Sequence, residues 1–345
     1  MARANPLLTI ITAAAGGLIF QLLSLPLAWM LGPLTAVMLV QQLGKVTLPW
    51  NPAFKQLGLI ILGISFGLYF HMNTLQQIST YLIPYILITI VLVGSSVILA
   101  LFIAKKTLLQ PATTIFGAIP GGLTEMVIAS EQLKAESSQV LIFQTVRLLI
   151  VLFTVPYVMT FLFRDSYTST AVLMQSGDGI SFFSLSSLLF ILIGGLGFKF
   201  RNLLPAGIMI IPLLLTILVM VSPAALPAVP DILFYGAQLA VGVSLGRTIY
   251  FKDIKQAGLY SGLFAVLTVL LILISAALGT LLYVWTDMNL TTALLSAAPG
   301  GLIEMVLTAS IVGADPAVVT SLQLIRIIII IVFVPVFLKK VLFRD

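Results

Sequence analysis

Ala118-Ile-Pro-Gly-Gly-Leu-Thr-Glu-Met-Val127 is written twice in this chain, the second time as Ala297-Ala-Pro-Gly-Gly-Leu-Ile-Glu-Met-Val306, 179 residues later. Both copies lie inside apolar runs, where a continuous helix is the default. Pro120 and Pro299 each remove a backbone donor. Gly121, Gly122, Gly300 and Gly301 weaken the helix further, so the backbone breaks at both places. Three residues past each glycine pair comes an acid, Glu125 and Glu304. A carboxylate beside an interrupted helix at membrane depth, present in duplicate, points to a transport or permeation site.

The rest of the composition supplies the membrane. Of 345 residues, 60% are hydrophobic and 8% charged, with a mean hydropathy of +1.19. Soluble domains carry about 25% charged residues, so an integral membrane protein is expected. Apolar runs of helical length recur from Leu7 to Leu342, which excludes a single anchor and the alternating pattern of a β-barrel. The segment from Leu7 to Leu23 lacks a small-residue cleavage site, so it reads as a structural helix and not a signal peptide. The net charge of +6 is no nucleic-acid footprint, because Lys and Arg fall in short loops. With no cysteine and a single histidine, His71, neither thiolate metal sites nor His-rich copper centres are expected. No metal and no cofactor is anticipated.

The 179-residue offset extends far beyond the doubled motif. Pro26, Met30 and Pro33 match Pro205, Met209 and Pro212. Gly63-Ile-Ser65-Phe-Gly67 matches Gly242-Val-Ser244-Leu-Gly246, and Tyr81 matches Tyr260. Gln144, Arg147 and Pro156 match Gln323, Arg326 and Pro335. The chain is a tandem duplication. Its organisation reads as a first repeat over 1–163, a Ser/Thr/Gly-rich linker over 164–182 and a second repeat over 183–345.

Each repeat holds six apolar segments, at 7–24, 28–43, 54–70, 82–104, 111–130 and 138–163, then 183–198, 203–222, 232–249, 258–284, 291–310 and 317–338. In the first repeat the basic loops follow segments two and four, carrying Lys45 with Lys55 and Lys105 with Lys106. In the second they follow segments one and three, carrying Lys199 with Arg201 and Lys252 with Lys255. Positive loops mark the cytoplasmic side. Five crossings per repeat with opposite orientations bring all of these loops to one face, whereas six crossings per repeat scatter them over both. The expectation is an all-α polytopic membrane protein with two inverted repeats, each of about five transmembrane helices plus one re-entrant or broken segment. Both termini are cytoplasmic in this reading, and the linker lies outside. The segment that fails to cross is either the Pro-Gly-Gly segment itself, 111–130 and 291–310, or a short one such as 28–43 lying flat.

Glu125 and Glu304 fall in the first turn after each break. They either satisfy free amides there or act as protonatable groups that couple ion movement to a solute. Arg147 and Arg326 sit inside apolar segments, where a lone arginine costs roughly 2.5 to 3.5 kcal/mol on insertion scales and needs a partner. The candidates are a glutamate of either repeat or an anionic substrate held bidentately. Gln144 and Gln323, one turn earlier on the same faces, add amide groups. The Gly-x-Ser-x-Gly stretches read as close-packing positions, with lining of the path as the alternative. Arg247 reads as a snorkelling residue at a helix end.

The doubled Pro-Gly-Gly-Leu-x-Glu-Met, together with Leu25-Pro-Leu-Ala-Trp29-Met-Leu-Gly-Pro33, resembles the AbrB-type membrane duplication family of bacteria. The likeness covers essentially the whole chain. The second repeat departs from it at Pro205-Ala-Gly-Ile-Met-Ile-Ile-Pro212, which lacks the tryptophan and the glycine. Members carry labels as transcriptional regulators or ammonia monooxygenases. The residues give neither a DNA-binding module nor a copper site, so an effect on expression would be indirect. What the resemblance implies is a multi-pass protein of the bacterial inner membrane. The expected function is ion-coupled secondary transport of a small solute, with a passive channel and an indirectly acting membrane regulator as alternatives. An enzyme is not expected, for want of a Ser/His/Asp or metal constellation, and the absence of a phosphate-binding loop leaves an ion gradient as the energy source. The partners are a small molecule or ion and the lipid bilayer, with no nucleic acid. Leu/Ile/Phe-rich faces would accept lipid or a second copy of the chain.

Overall fold

The computed structural model describes residues 2–3, 5–44, 46–133, 135–163, 188–222 and 226–342, with only the backbone described at 2–3, 123–125 and 335–342. The expected linker at 164–182 lies outside the described residues. Apart from a two-residue parallel pairing of β1 (Ala2–Arg3) with β2 (Val46–Thr47), the regular structure is helical. The elements are α1 (Pro6–Leu22), α2 (Ala28–Gly44), α3 (Pro52–Gly67), α4 (Met72–Lys106), α5 (Pro111–Ala118), α6 (Leu123–Gln132) and α7 (Ser137–Leu162). Then come α8 (Leu188–Lys199), α9 (Gly207–Val221), α10 (Asp231–Thr248), α11 (Phe251–Gln256), α12 (Leu259–Trp285), α13 (Leu290–Ala297), α14 (Leu302–Ile311) and α15 (Pro316–Leu342).

Local chemistry starts several of these helices. Asn5 and Asn51 each precede a proline, and each side chain accepts an amide hydrogen bond, from Leu7 at 3.1 Å and from Ala53 at 3.0 Å. The proline at N1 loses nothing, since its missing N–H would have been unpaired there anyway. Among the described residues, five stretches are long and apolar enough to cross a membrane: Met72–Lys106, Ser137–Leu162, Asp231–Gln256 (α10 with α11), Leu259–Trp285 and Pro316–Val334. The first helices, of 16 or 17 residues, sit at the lower end of the length needed for a crossing.

The duplication seen in the sequence is a duplication of structure. Helices α2, α3, α4, α5, α6 and α7 begin at Ala28, Pro52, Met72, Pro111, Leu123 and Ser137. Helices α9, α10, α11, α13, α14 and α15 begin at Gly207, Asp231, Phe251, Leu290, Leu302 and Pro316, each 179 residues after its counterpart. The one departure is α4, continuous over 35 residues, whose counterpart is cut into α11 and α12 at Gly258 with φ +52°. Leu27 and Ala206, each just after a proline, occupy the left-handed region with φ +52°, again 179 residues apart.

In space the chain forms two compact units, and each draws on both sequence repeats. The first comprises Met1–Gln76 and Arg164–Tyr250, the second Gln77–Phe163 and Phe251–Asp345. In the first unit α1 packs on α2, α2 on α10, α3 on both α9 and α10, and α8 on α9. Glycines set these approaches. A Cβ on Gly63 would collide with the Met209 carbonyl on α9, and one on Gly242 with the Met30 carbonyl on α2. Gly67 and Gly246 likewise face Leu213 and Leu34, within 2.9 Å of a carbonyl oxygen and 3.0 Å of a Cα. The third helix of each repeat therefore lies against the second helix of the other. Ser65 is fully buried and donates to the Ile61 carbonyl at 2.8 Å, so this stretch packs. Arg247, half-buried at the end of α10, donates Nη1 to the Trp50 carbonyl at 2.9 Å, fastening the end of α10 to the start of α3.

Because the obstacle at Gly63 is backbone, it cannot turn aside. Gly63→Ala is expected to destabilise by about 1–3 kcal/mol, the usual range for overpacking. Gly195→Ala, with nothing within 4 Å of the added methyl, should be neutral or slightly stabilising. Thermal unfolding of the two variants in detergent, side by side, checks this.

Candidate functional site

The second unit contains both Pro-Gly-Gly elements, and each is a real break. Helix α5 ends at Ala118, Ile119 is extended (φ −62°, ψ 130°), and Gly122 is extended before α6 begins. Helix α13 ends at Ala297, Ala298 is extended (φ −56°, ψ 136°), and Gly301 is extended before α14. None of these glycines uses a positive φ; what they supply is space. A Cβ on Gly121 would meet Met126 Cε at 2.8 Å, and one on Gly300 would meet Met305 Cε at 2.5 Å. A Cβ on Gly301 would run into the Glu304 carboxylate. The motif thus spells its own packing, the first glycine making room for the methionine and the second, at 301, for the acid. Met126 and Met305 are accordingly buried, at 1% and 0% exposure.

A broken helix leaves carbonyls without amide partners at the end of its first half. Here the arginines provide donors. Arg147 Nη1 donates to the Ile119 carbonyl and Nη2 to the Gly121 carbonyl at 2.8 Å. Arg326 Nη1 donates to the Ala298 carbonyl at 2.5 Å and Nη2 to the Gly300 carbonyl at 2.6 Å. Gln144 Nε2 donates to Phe116 and Ile119 at 2.5 and 3.2 Å, and Gln323 Nε2 to Leu295, Ser296 and Ala298 at 2.9, 3.2 and 3.4 Å. Each short helix is tied at its other end as well. The Glu136 amide donates to Thr113 Oγ1 at 3.0 Å, and the Asp315 amide to Thr292 Oγ1 at 2.9 Å. Helices α5 and α13 are therefore fixed to α7 and α15 at both ends.

A second grip comes from the other repeat. Tyr85 of α4 donates its hydroxyl to the Ser296 carbonyl on α13 at 3.0 Å. At the equivalent place, Phe264 of α12 packs against Gly117 of α5 and stacks on Phe143 with ring centroids 3.8 Å apart. The sequence pointed to Met126 and Met305 only as letters of the doubled motif, and to Tyr85, Ser296, Phe264, Gly117, Thr113 and Thr292 not at all. Thr113 and Thr292, and both methionines, are identical across the offset, and a position-by-position overlay of the repeats would have raised them.

Neither arginine makes an ion pair with a described carboxylate. Each arginine braces two carbonyls, which uses two of the five N–H donors a guanidinium carries, and the expected pairing with Glu125 lies outside the described side chains. Arg147 and Arg326 are 7% and 1% exposed, and the Nε of each has no hydrogen-bond partner. Glu304 is 5% exposed, in the first turn of α14, whose N-cap Gly301 offers no side-chain cap. The side chain of Glu125 lies outside the described residues.

The structure brings one face of α7, in the first repeat, to the break of the second. A narrow crevice of about 10 Å³, room for about one water molecule, is lined by Arg147, Leu148, Val151 and Leu152 of α7 and by Pro299, Gly300, Gly301 and Glu304. Arg147 holds its own break with Nη1 and Nη2 while lining a crevice against the other. A residue-level prediction follows. Arg326→Lys, whose single ammonium cannot reach both carbonyls in the guanidinium's geometry, should cost about 1–3 kcal/mol through the orphaned acceptor. Tyr85→Phe should cost about 1 kcal/mol. Both are read from thermal unfolding of the purified protein.

Against known proteins, the family described as "Transition state regulatory protein AbrB" matches residues 29–342. A Bacillus subtilis (strain 168) protein named "Uncharacterized protein YhjN" is 27% identical over 357 residues, covering 95% of this chain and 90% of that protein. No solved structure matches.

Proposed function

This chain belongs to the AbrB family, and from that premise and the twin breaks we propose that it is an ion-coupled secondary transporter of a small solute. The observation that carries the reading is the crevice in which a buried acid, Glu304, and a buried cation, Arg147, face one interrupted helix from two different repeats. An irregular backbone at membrane depth is tolerated where protein or a water-lined cavity surrounds it, and it is there that transporters bind their cargo. In this reading Glu304, and Glu125 as its repeat counterpart, take up and release the coupling ion. Arg147 and Arg326 keep the breaks open as structured elements.

The membrane arrangement belongs to the same proposal. The contacts are reciprocal: the third helix of each repeat packs on the second helix of the other, and α4 and α12 each grip the other repeat's short helix. Reciprocity of this kind supports a two-fold relation between repeats, by the logic of isologous contacts. The alternation of basic loops favours an axis lying in the membrane plane, hence inverted repeats with both termini in the cytoplasm of a bacterial inner membrane. The regulatory description attached to the family favours a second reading, in which the protein alters expression through what it carries or senses.

A resistance and growth screen of a deletion strain identifies the solute, and uptake into proteoliposomes with an entrapped pH dye then measures coupling. Glu304→Gln and Glu125→Gln are each expected to abolish solute-driven proton movement while leaving the protein folded. Normal coupled uptake in both single variants and in the double variant overturns the transport site. Unchanged transport with altered expression in a Glu304→Gln strain favours the regulatory reading.

A further inference from the structure

Arg147 has more donors than its own break uses. The Ile119 and Gly121 carbonyls take two of the five N–H bonds that a guanidinium carries. The side chain is nine-tenths buried, and its Nε has no partner among the described residues. Across the crevice lies Glu304, 5% exposed, its carboxylate folded back over Gly301 and its own amide. Both residues line one space of about 10 Å³, the size of about one water molecule. Leu148, Val151 and Leu152 give that space an apolar wall, while Pro299, Gly300 and Gly301 offer it backbone alone. Among the described residues, polar side chains therefore reach it from two helices, α7 with Arg147 and α14 with Glu304.

We propose that one ordered water molecule occupies the crevice, accepting a hydrogen bond from an Arg147 N–H and donating one to a Glu304 carboxyl oxygen. Groups of this kind are costly to bury unless their hydrogen-bonding capacity is met. Water meets it for both, being donor and acceptor at once, and a bridging water is nearly as good as a direct bond. Nothing larger fits, and the apolar wall of α7 stops a file of waters from following. Arg147 is thereby a positioning residue. Through the water it ties the break of the first repeat, whose carbonyls it braces, to the first turn of α14 in the second. The inference goes beyond the transport reading and holds whether or not the protein carries a solute.

Filling the crevice tests it. Val151, 2% exposed, stands on the apolar wall, and Val151→Ile adds one methyl group there. In a dry crevice the added methyl fills a void, and the thermal midpoint of the purified full chain in detergent rises. In a crevice that holds the bridging water, the methyl displaces it and the midpoint falls, which is the expected result. In a Glu304→Ala background no carboxyl group needs the water, and Val151→Ile should then be neutral or stabilising. A rise in the wild-type background overturns the proposal, because the crevice is then dry. An equal fall in both backgrounds also overturns it, because the cost is then overpacking alone. An experimental structure that shows ordered water decides the point without a variant. Density is expected at roughly 2.7–3.2 Å from both an Arg147 nitrogen and a Glu304 oxygen. A direct Arg147–Glu304 contact, the Glu125 carboxylate seated in the crevice, or no density there refutes the bridge.

Discussion

A buried guanidinium holding the loose carbonyls of a broken helix is the interaction on which the second unit depends. Two expensive features meet in it. An interrupted backbone in hydrocarbon leaves polar groups unsatisfied at several kcal/mol each, and a lone arginine there costs roughly 2.5 to 3.5 kcal/mol on insertion scales. Brought together, each offsets the other: Arg326 satisfies the Ala298 and Gly300 carbonyls, and those carbonyls solvate its charge. The end of α13 is also the negative pole of that helix, and the start of α14, where Glu304 sits, is a positive one. Cation and acid are therefore each placed at the helix end that favours it, which is why no ion pair between them is needed.

The same economy governs the first unit with different chemistry. There the helices approach through Gly63, Gly67, Gly242 and Gly246, whose missing side chains let the carbonyl face of one helix touch the next. Close packing suits lipid, in which burial of apolar surface gives helices no extra attraction and van der Waals fit must supply it. In the first unit the partners are exchanged between repeats; in the second the short helices pack mainly on the long helix of their own repeat, with α12 on α7 and α7 on α14 crossing between repeats. For the first unit the duplication is thus a structural requirement.

Much of this was legible in the sequence, for identifiable reasons. The break was readable because proline and glycine act on the backbone locally, and the repeat because identities recur at a constant offset. The starts at Pro52 and Pro111 suit proline's fit to the first helical turn, a cue the reading of apolar segments, which began the third one at 54, did not use. The partners of Arg147 and Arg326 were not readable, since a carbonyl belongs to every residue and leaves no mark in the sequence. The division into two units was hidden for another reason: each unit gathers segments from both repeats, and periodicity within a repeat carries no information about which repeat supplies the neighbour. The glycines marked the breaks correctly, and the structure adds a second reason for them: Gly121, Gly300 and Gly301 are kept small by Met126, Met305 and Glu304.

The two copies have also diverged in a compensated way. Where the first repeat has Tyr85, the second has Phe264; where the second has Ser296, the first has Gly117. Tyr85 hydroxyl reaches the Ser296 carbonyl, a directed bond that tolerates the serine side chain. Phe264 instead lies over Gly117, where a Cβ would come within 3.0 Å of the ring and 2.9 Å of Phe143. Tyrosine goes with serine and phenylalanine with glycine because the hydroxyl needs an acceptor and the stacked rings need room. One short helix is located by a hydrogen bond and the other by ring packing. Hydrogen bonds fix direction sharply, while stacked rings tolerate sliding in their plane. The duplicated break is therefore held by two unlike grips, and that inequality sets the copy with Glu304 apart from its twin.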